Sequence, residues 1–301
     1  MNDDAKRTGL LLAALAAVFF GLSSITEKMA SLGAGGNGIS IAFYRNLTVL
    51  PVLAVILKVK GYGFALTKRQ LVSLIFIGMT CGGLTAMLLY LAYDYISVGQ
   101  TLCLHFLYPA LVALFYAVFF KQKLTKVQGL SLLLACLGIW VMMFGGLEAN
   151  PLGIALALLS SVAYSAYLII ADKSGVRELN GFKISFYNTL FGSIFLFVFG
   201  HIFGFSFAEC RPAGWIWLFL TGLMVVCIGN VMTPEAIKRI GPTVTGILGI
   251  LEPITSLVCS ILLLGEPLTK RSLLGAIFVL ASAFLITLGD HKKSSAKESD
   301  Q

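Results

Sequence analysis

The sequence predicts an all-α membrane protein of ten transmembrane helices, arranged as two inverted repeats of five helices each. Three observations lead to this prediction. Only 12% of the 301 residues are charged and 58% are hydrophobic, whereas soluble domains carry about 25% charged residues. Ten apolar runs are each long enough to cross a lipid bilayer. The second half of the chain also repeats features of the first half at a nearly constant offset.

The composition excludes a soluble fold and argues against a nucleic-acid-binding surface. With a mean hydropathy of +0.91, the chain has too few charges to cover a water-facing surface, so lipid is its predicted solvent. The net charge of +8 comes from short basic clusters between apolar runs, and one such cluster holds Lys58, Lys60 and Lys68. No continuous basic patch is predicted, and therefore no nucleic-acid partner.

Turn-forming residues separate the apolar runs, as in GAGGNG at 33–38 and GGLEANP at 145–151. The first run is too long, and too poor in a cleavage site, for a signal peptide, so we expect it to be retained as the first helix. The predicted helices span 8–30, 39–57, 70–92, 97–119, 127–146, 151–171, 183–204, 213–235, 241–264 and 271–289.

The loops alternate in charge along the chain. The loops that are predicted to lie on the same side of the membrane as the N-terminus hold most of the lysines and arginines, as at 58–69, 121–126 and 173–183. Because basic loops remain in the cytoplasm, and because an even number of spans returns the chain to its starting side, both termini are predicted to be cytoplasmic. The predicted location is the plasma (inner) membrane.

The two halves of the sequence repeat distinctive residues, not only leucine and alanine. Pro109 and Pro253 are 144 positions apart, and FYRN at 43–46 matches FYNT at 186–189. Since five spans is an odd number, the second copy enters the membrane from the opposite side, which is typical of secondary transporters. The predicted units are a first repeat at 8–146, a second at 151–289 and a disordered cytoplasmic tail at 290–301.

Both halves resemble EamA domains of the drug/metabolite transporter superfamily. The resemblance is strongest in GILGILEPITSLVCSILLLGEPLTKRSLLGAIFVLASAFLI at 246–286, and the first half contains LYPALVALFYAVFFKQKLT. It implies ten transmembrane helices, no cofactor and transport of small metabolites. The first half departs from the family pattern, because Tyr108 replaces the glutamate before the proline and Gln122 replaces the loop glutamate. A role for two symmetric carboxylates is therefore not expected.

Arg45 is a candidate binding residue because a charged side chain within a transmembrane helix is costly unless it pairs or faces water. Its planar guanidinium suits a solute carboxylate or phosphate. The alternatives are snorkelling of the side chain to the outer interface and a structural ion pair with an acidic residue.

Glu252 lies well inside the predicted ninth helix, directly before Pro253. A buried carboxyl with a raised pKa can exchange a proton or pair with a cationic solute. The alternative is that it caps or pairs locally where Pro253 removes a backbone hydrogen bond. Pro109 and Pro253 are predicted to kink their helices at equivalent depths.

Helical spacing groups further polar residues into predicted cavity-lining faces. Thr101, His105 and Tyr108 follow the i, i+4, i+7 rule, and their repeat mates include Thr245 and Glu252. His105 is a second candidate for proton coupling, or alternatively a satisfied hydrogen-bonding group. The complete set of candidate cavity residues is Tyr44, Arg45, Thr101, His105, Tyr108, Tyr164, Tyr187, Asn230, Thr245 and Glu252.

These features predict a secondary active transporter that exports an amino acid or a related carboxylate-bearing solute by alternating access. A multidrug or organic-cation exporter is the alternative, favoured by Glu252 and the tyrosines and disfavoured by Arg45. A membrane-embedded enzyme or receptor is less favoured, because the chain has no HExxH, GxSxG or paired intramembrane aspartates. The expected partners are a small-molecule solute and the lipid bilayer, with a proton as the candidate coupling ion. No metal or cofactor is predicted, since none of the six cysteines forms a CxxC pair.

Overall fold

The protein is helical throughout the part of the chain that the computed structural model describes, and no strand occurs there. Six helices are long and apolar enough to cross a membrane, and four shorter apolar helices complete the described set. The described residues are 3–34, 38–121, 125–143, 150–174, 176, 179–204, 207, 211–229, 232–233, 235–236, 239–240, 245, 248–266 and 269–299.

The helices follow the predicted order. The first repeat contains α1 (Asp3–Ala34), α2 (Gly38–Val59), α3 (Lys68–Ala92), α4 (Val98–Phe119) and α5 (Lys126–Met143). The second repeat contains α6 (Pro151–Lys173), α7 (Gly181–Ile202), α8 (Pro212–Gly222), α9 (Leu251–Leu264) and α10 (Lys270–Ser299).

Side-chain caps fix where several helices begin. Thr67 and Gln70 form a capping box at the start of α3, and Ser97 and Gln100 form another at the start of α4. The side chain of Asn150 accepts hydrogen bonds from two backbone N–H groups of α6. These side chains satisfy backbone donors that have no partner within the helix, which matters most where lipid offers no replacement.

Contacts between helix ends identify the two faces of the molecule. On one face, the Tyr187 hydroxyl donates to the Phe64 carbonyl (2.6 Å) and Gly9 lies against Arg239. Because α1 begins and α10 ends on this side, we call it the termini face. On the opposite face, the Glu266 carboxylate accepts a hydrogen bond from the Val98 backbone N–H (3.0 Å).

The helices α5 and α10 form an antiparallel pair. The Ser131 hydroxyl donates to the Ser282 carbonyl (2.7 Å), and Gly138 allows close approach of Val279. Small residues bring the helices together because lipid provides no hydrophobic driving force between apolar helices. The remaining helices surround the centre of the molecule.

Two π-helical segments occur at equivalent positions of the two repeats. One spans Gly78–Thr85 within α3, and the other spans Leu223–Gly229 directly after α8. Their last residues are 144 positions apart, which is the offset of the sequence repeat. Since π-helices are rare, their recurrence shows that the repeats share a backbone irregularity as well as sequence motifs.

The fourth helix, predicted as one span of 97–119 with a kink at Pro109, is broken into two parts. Its first part ends at His105, and its second part begins at Tyr108. The break lies directly before Pro109, which has no backbone N–H and whose ring clashes with the carbonyl four residues earlier. That carbonyl belongs to His105, and it accepts a hydrogen bond from the Ser161 hydroxyl instead (2.8 Å).

The segment at 290–301, predicted as a disordered tail, lies directly after the predicted tenth span. Helix α10 continues to Ser299. The segment contains no glycine or proline, and a helix that is already formed extends without a new nucleation cost.

The close packing of α7 on the π-segment of α3 makes Gly192 sensitive to substitution. A Cβ atom at Gly192 would lie 2.5 Å from the carbonyl carbon of Gly82, which is backbone and has no rotamer to change. We expect Gly192→Ala to lower the unfolding free energy by about 1–3 kcal/mol, measured as a lower melting temperature of the detergent-purified protein. Gly129→Ala is the control, because a Cβ there meets nothing within 4 Å. Equal melting temperatures for the two variants would contradict this packing.

Candidate solute-binding site

A cavity of about 460 Å³ lies between the two repeats. Its volume is within the range of small-molecule binding sites. Within the described residues, α1–α4, α6, α7, α9 and the π-helical segment after α8 contribute to its lining. Polar and aromatic residues of this lining are Ser23, Glu27, Arg45, Asn46, Cys81, Tyr90, Tyr93, His105, Tyr108, Tyr164, Tyr167, Asn188, Thr189 and Glu252.

The strongest interaction in the cavity is an ion pair between Arg45 of α2 and Glu27 of α1. The Arg45 Nη1 and Glu27 Oε1 atoms are 3.1 Å apart, and the two side chains are only 11% and 9% exposed. Arg45 Nη2 also donates to Asn46 Oδ1 (3.1 Å), and the guanidinium lies 5.6 Å from the centre of the Tyr90 ring. Of the alternatives considered for Arg45, the structure contains the ion pair, and the side chain does not snorkel.

Glu27 was not among the residues that the sequence analysis predicted to line the cavity. The residue is 7% exposed, and its Oε2 atom accepts a hydrogen bond from the Tyr93 hydroxyl (3.4 Å). Lys28 instead donates to the Tyr93 backbone carbonyl. A carboxylate that is buried in the membrane needs a cation as well as hydrogen bonds, and Arg45 supplies the cation.

Glu252 lines the same cavity from the first turn of α9. Among the described residues, no cation lies within ion-pair distance of its carboxyl group. A carboxylate in the first turn is favoured by the helix dipole, and the same cavity also holds the Glu27 carboxylate, which is paired with Arg45. Glu252 is therefore available to a cation or a proton that enters the cavity.

Aromatic rings form one wall of the cavity. The ring centres of Tyr108 and Tyr164 are 4.7 Å apart, and those of Tyr164 and Tyr167 are 5.2 Å apart. His105 stacks edge-on against Tyr164, and its Nδ1 atom hydrogen-bonds with the Ser160 hydroxyl (2.9 Å). The ring faces can accept a cation, and the Ser160 contact matches the alternative in which His105 is a satisfied hydrogen-bonding group.

Four predicted cavity residues are absent from the described lining. Tyr44 packs against Trp215, and the Tyr187 hydroxyl is bonded to Phe64. The Thr101 hydroxyl donates to the Ser97 carbonyl, and Thr245 is buried elsewhere. Thr101 lies one turn before His105 in the unbroken first part of α4, but its hydroxyl is bonded to the backbone of its own helix. Asn230, the remaining candidate, lies outside the described residues.

Asn188 is a cavity residue that the sequence analysis missed. It follows Tyr187 and is the repeat mate of Arg45, since FYRN at 43–46 aligns with FYNT at 186–189. Neighbouring residues on a helix point about 100° apart, so Arg45 and Asn188 face the cavity when Tyr44 and Tyr187 do not. The match between FYRN and FYNT therefore indicated Asn188, whereas the sequence analysis predicted its neighbour Tyr187 as the cavity residue.

A hydrogen-bonded contact joins the two repeats at the opposite face. Both oxygens of Glu266, which follows α9, accept from the backbone N–H of Val98 at the start of α4 (3.0 and 3.3 Å). Burial raises the pKa of the Glu266 carboxyl, although its hydrogen bonds and the charge of Lys28 oppose the rise. Burial also raises the pKa of Asp94, again against the charge of Lys28.

A helical membrane protein with a central cavity between two inverted halves belongs to the class of small-solute transporters. The chain belongs to the EamA-like transporter family, whose model matches residues 7–144 and 151–288. This confirms the resemblance to the drug/metabolite transporter superfamily and the assignment as a transporter rather than an enzyme.

Relatives named as transporters match along nearly the whole chain. A Clostridium kluyveri protein named an uncharacterized transporter is 22% identical over 303 residues, covering 96% of each chain. A Synechocystis protein of the same description is 25% identical, covering 97% of this chain and 96% of its own. A solved crystal structure of a protein superposes with a TM-score of 0.62 at 15% identity, covering 93% of this chain and 97% of its own, which supports the fold.

The buried ion pair predicts a distinctive pattern of stability in a double-mutant cycle. We expect Glu27→Gln and Arg45→Gln each to lower the unfolding free energy by about 3–5 kcal/mol, because each leaves one uncompensated buried charge. The double variant should be more stable than the sum of the two losses implies. Chemical denaturation in detergent micelles measures all three.

The control for this cycle is the pair of Arg239 and Glu235, which has the same chemistry but side chains 35% and 40% exposed. Neutralising Glu235 should change the unfolding free energy by at most about 1 kcal/mol. Additive losses in the Glu27 and Arg45 cycle would show that the two charges do not stabilise each other.

Proposed function

We propose that the protein is a secondary transporter that moves a small solute carrying an amino group, with amino acids as the leading class. The observation that supports this is the unequal charge state of the cavity. Arg45 already has Glu27 as a partner, whereas Glu252 has no ion-pair partner among the described residues. The cavity therefore provides an unmatched acidic group, and a solute ammonium would supply the missing positive charge.

In this proposal, the solute ammonium binds between Glu252 and the rings of Tyr108 and Tyr164. A carboxylate on the solute would use further N–H donors of Arg45, because the guanidinium carries five. The anchoring role predicted for Arg45 thus becomes secondary to the acidic site at Glu252. The aromatic wall also supports a second candidate function, transport of organic cations, which need no carboxylate.

We further propose that Glu252 is the proton-coupling residue. Its carboxyl lies in the cavity without an ion-pair partner among the described residues, so either a proton or a cationic solute would neutralise its charge. Competition between these two cations for one carboxyl is sufficient to couple their movements. His105 is less suited to this role, since its Nδ1 atom is hydrogen-bonded to Ser160.

The proposed mechanism is alternating access between repeats at 8–146 and 151–289, in the plasma membrane with both termini in the cytoplasm. The cavity lining extends to Gly181 and Ile184 at the termini face. At the other face, the bond between Glu266 and Val98 joins the repeats. We propose that the structure represents the state open to the termini face, and that this bond breaks when the cavity opens to the other side.

The sequence indicates that an equivalent bond cannot form at the termini face. At the repeat offset of 144, the mate of Val98 is Pro242 and the mate of Glu266 is Gln122. Proline has no backbone N–H to donate, and glutamine has no charge to strengthen a bond. Both mates lie outside the described residues, so this step rests on their chemistry alone. The asymmetry favours the state that is closed at the opposite face.

The role of Glu252 is tested by transport into proteoliposomes. We expect Glu252→Gln to abolish uptake driven by a pH gradient, because an amide cannot exchange a proton or match an ammonium. Radiolabelled amino acids and a small organic cation are the probes, which separates the two candidate functions. Glu235→Gln, which removes a carboxyl outside the cavity lining, should retain uptake. Full gradient-driven uptake by Glu252→Gln would eliminate the proposed coupling.

The proposed resting state is tested by the accessibility of Cys81, which lines the cavity. In a variant with the other five cysteines replaced by alanine, a membrane-impermeant thiosulfonate should modify Cys81 from the termini face only. Adding Glu266→Ala should increase modification from the opposite face at least several-fold, since the bond to Val98 is lost.

Right-side-out and inside-out vesicles present the two faces of the protein to the reagent in separate experiments. Modification of Cys81 is measured by mass spectrometry. Ser131→Ala is the control, because it removes a hydroxyl contact between α5 and α10, away from the cavity. Modification from the opposite face without the Glu266 change would exclude the assigned state.

A further inference from the structure

We infer that Asn188 is a second hydrogen-bond acceptor of the solute site, and that it restricts transport to solutes bearing N–H or O–H donors. The site therefore selects primary ammonium groups over quaternary ammonium groups. This inference rests on the proposed function, because it takes the central cavity as the place where the solute binds.

Asn188 lines the cavity and carries an unsatisfied acceptor. Its Oδ1 atom is buried and has no hydrogen-bond partner in the part of the chain that the structure describes. Its Nδ2 atom lies 3.9 Å from the Cys81 sulfur, a weak contact. Buried side-chain oxygens nearly always have a partner, so an orphaned oxygen on a cavity-lining residue is a candidate partner for a ligand donor.

The backbone around Asn188 is held in place on the π-segment of α3. The Cα atoms of Gly82 and Gly192 allow this approach, because a Cβ on either would meet the backbone of the other helix at 2.4–2.5 Å. Gly82 also receives a hydrogen bond at its carbonyl from Asn46 Nδ2 (3.2 Å). A rigid mounting prevents the Asn188 amide from turning to find another partner, which preserves it for the solute.

The repeat symmetry shows that this acceptor belongs to a pattern. The repeat mates that line the cavity include Arg45 with Asn188 and Tyr108 with Glu252. In these two pairs, the first repeat supplies a side chain that can donate, and the second repeat supplies one that can accept. Arg45 donates to Glu27, whereas neither Asn188 Oδ1 nor the Glu252 carboxyl has a described donor. The second repeat therefore provides the acceptors for the solute.

This arrangement discriminates between cations of equal charge. A primary ammonium has three N–H donors, whereas a trimethylammonium has none. A solute without donors leaves the buried oxygen of Asn188 without a partner, and the missing hydrogen bond corresponds to roughly 10-fold in affinity or more. Glu252 and the aromatic rings would attract both cations, so Asn188 is the residue that separates them.

The experiment compares two probes, phenethylamine and phenethyltrimethylammonium, on the full-length protein in detergent. Binding of each probe is measured by isothermal titration calorimetry. We expect the wild-type protein to bind the primary amine about 10-fold more tightly. Asn188→Leu, which has a similar volume and no acceptor, should lose this preference through weaker binding of the primary amine. Asn188→Ala should show the same loss if the leucine variant does not fold.

The matched control is Ser193→Ala, a polar deletion on the same helix whose hydroxyl is bonded within α7. It should keep the preference. If Asn188→Leu and Asn188→Ala bind both probes with the wild-type preference, the inference about Asn188 is wrong while the proposed cationic site stands. If neither probe binds the wild-type protein, the proposed function fails, and the inference fails with it.

Discussion

The ion pair between Arg45 and Glu27 is the interaction on which the cavity depends. Two charges within the membrane are tolerated only when each has a partner and further hydrogen bonds. Asn46, Tyr90 and Tyr93 surround the pair, so α1, α2 and α3 meet at this point. Because the pair is neutral as a unit, the remaining carboxyl at Glu252 determines the electrostatic character of the space that a solute enters.

The two repeats share a backbone but differ in side chains at the positions that matter for binding. Equivalent π-segments in α3 and after α8 show how closely the backbones correspond. Arg45 in the first repeat corresponds to Asn188 in the second, and Tyr108 in the first corresponds to Glu252 in the second. A symmetric backbone lets two states have comparable geometry, while unequal side chains give the cavity a direction and a charge preference.

The sequence predicted the fold better than it predicted the cavity. Ten apolar runs and the 144-residue repeat were sufficient for the membrane architecture, because span length and backbone satisfaction leave few alternatives. Cavity residues depend on rotation about each helix axis, which hydrophobicity does not specify when every side is apolar. Arg45, His105, Tyr108, Tyr164 and Glu252 line the cavity because polar groups avoid lipid, whereas Tyr44 and Tyr187 pack elsewhere. Thr101 instead bonds to the Ser97 carbonyl of its own helix, and the pairing of Arg45 with Glu27 depends on which helices touch.

In the proposed transport cycle, the asymmetry between Glu266 and its mate Gln122 sets the energy difference between the two states. A charge-assisted hydrogen bond contributes about 1.5–3 kcal/mol, which favours one state by roughly 10- to 150-fold. Such a bias is small enough for solute binding to reverse, provided that the solute binds the other state more tightly. The acceptors at Asn188 and Glu252 would supply that binding energy from the second repeat, which also carries Glu266. One repeat would thus hold both the bond that closes the opposite face and the groups that release it.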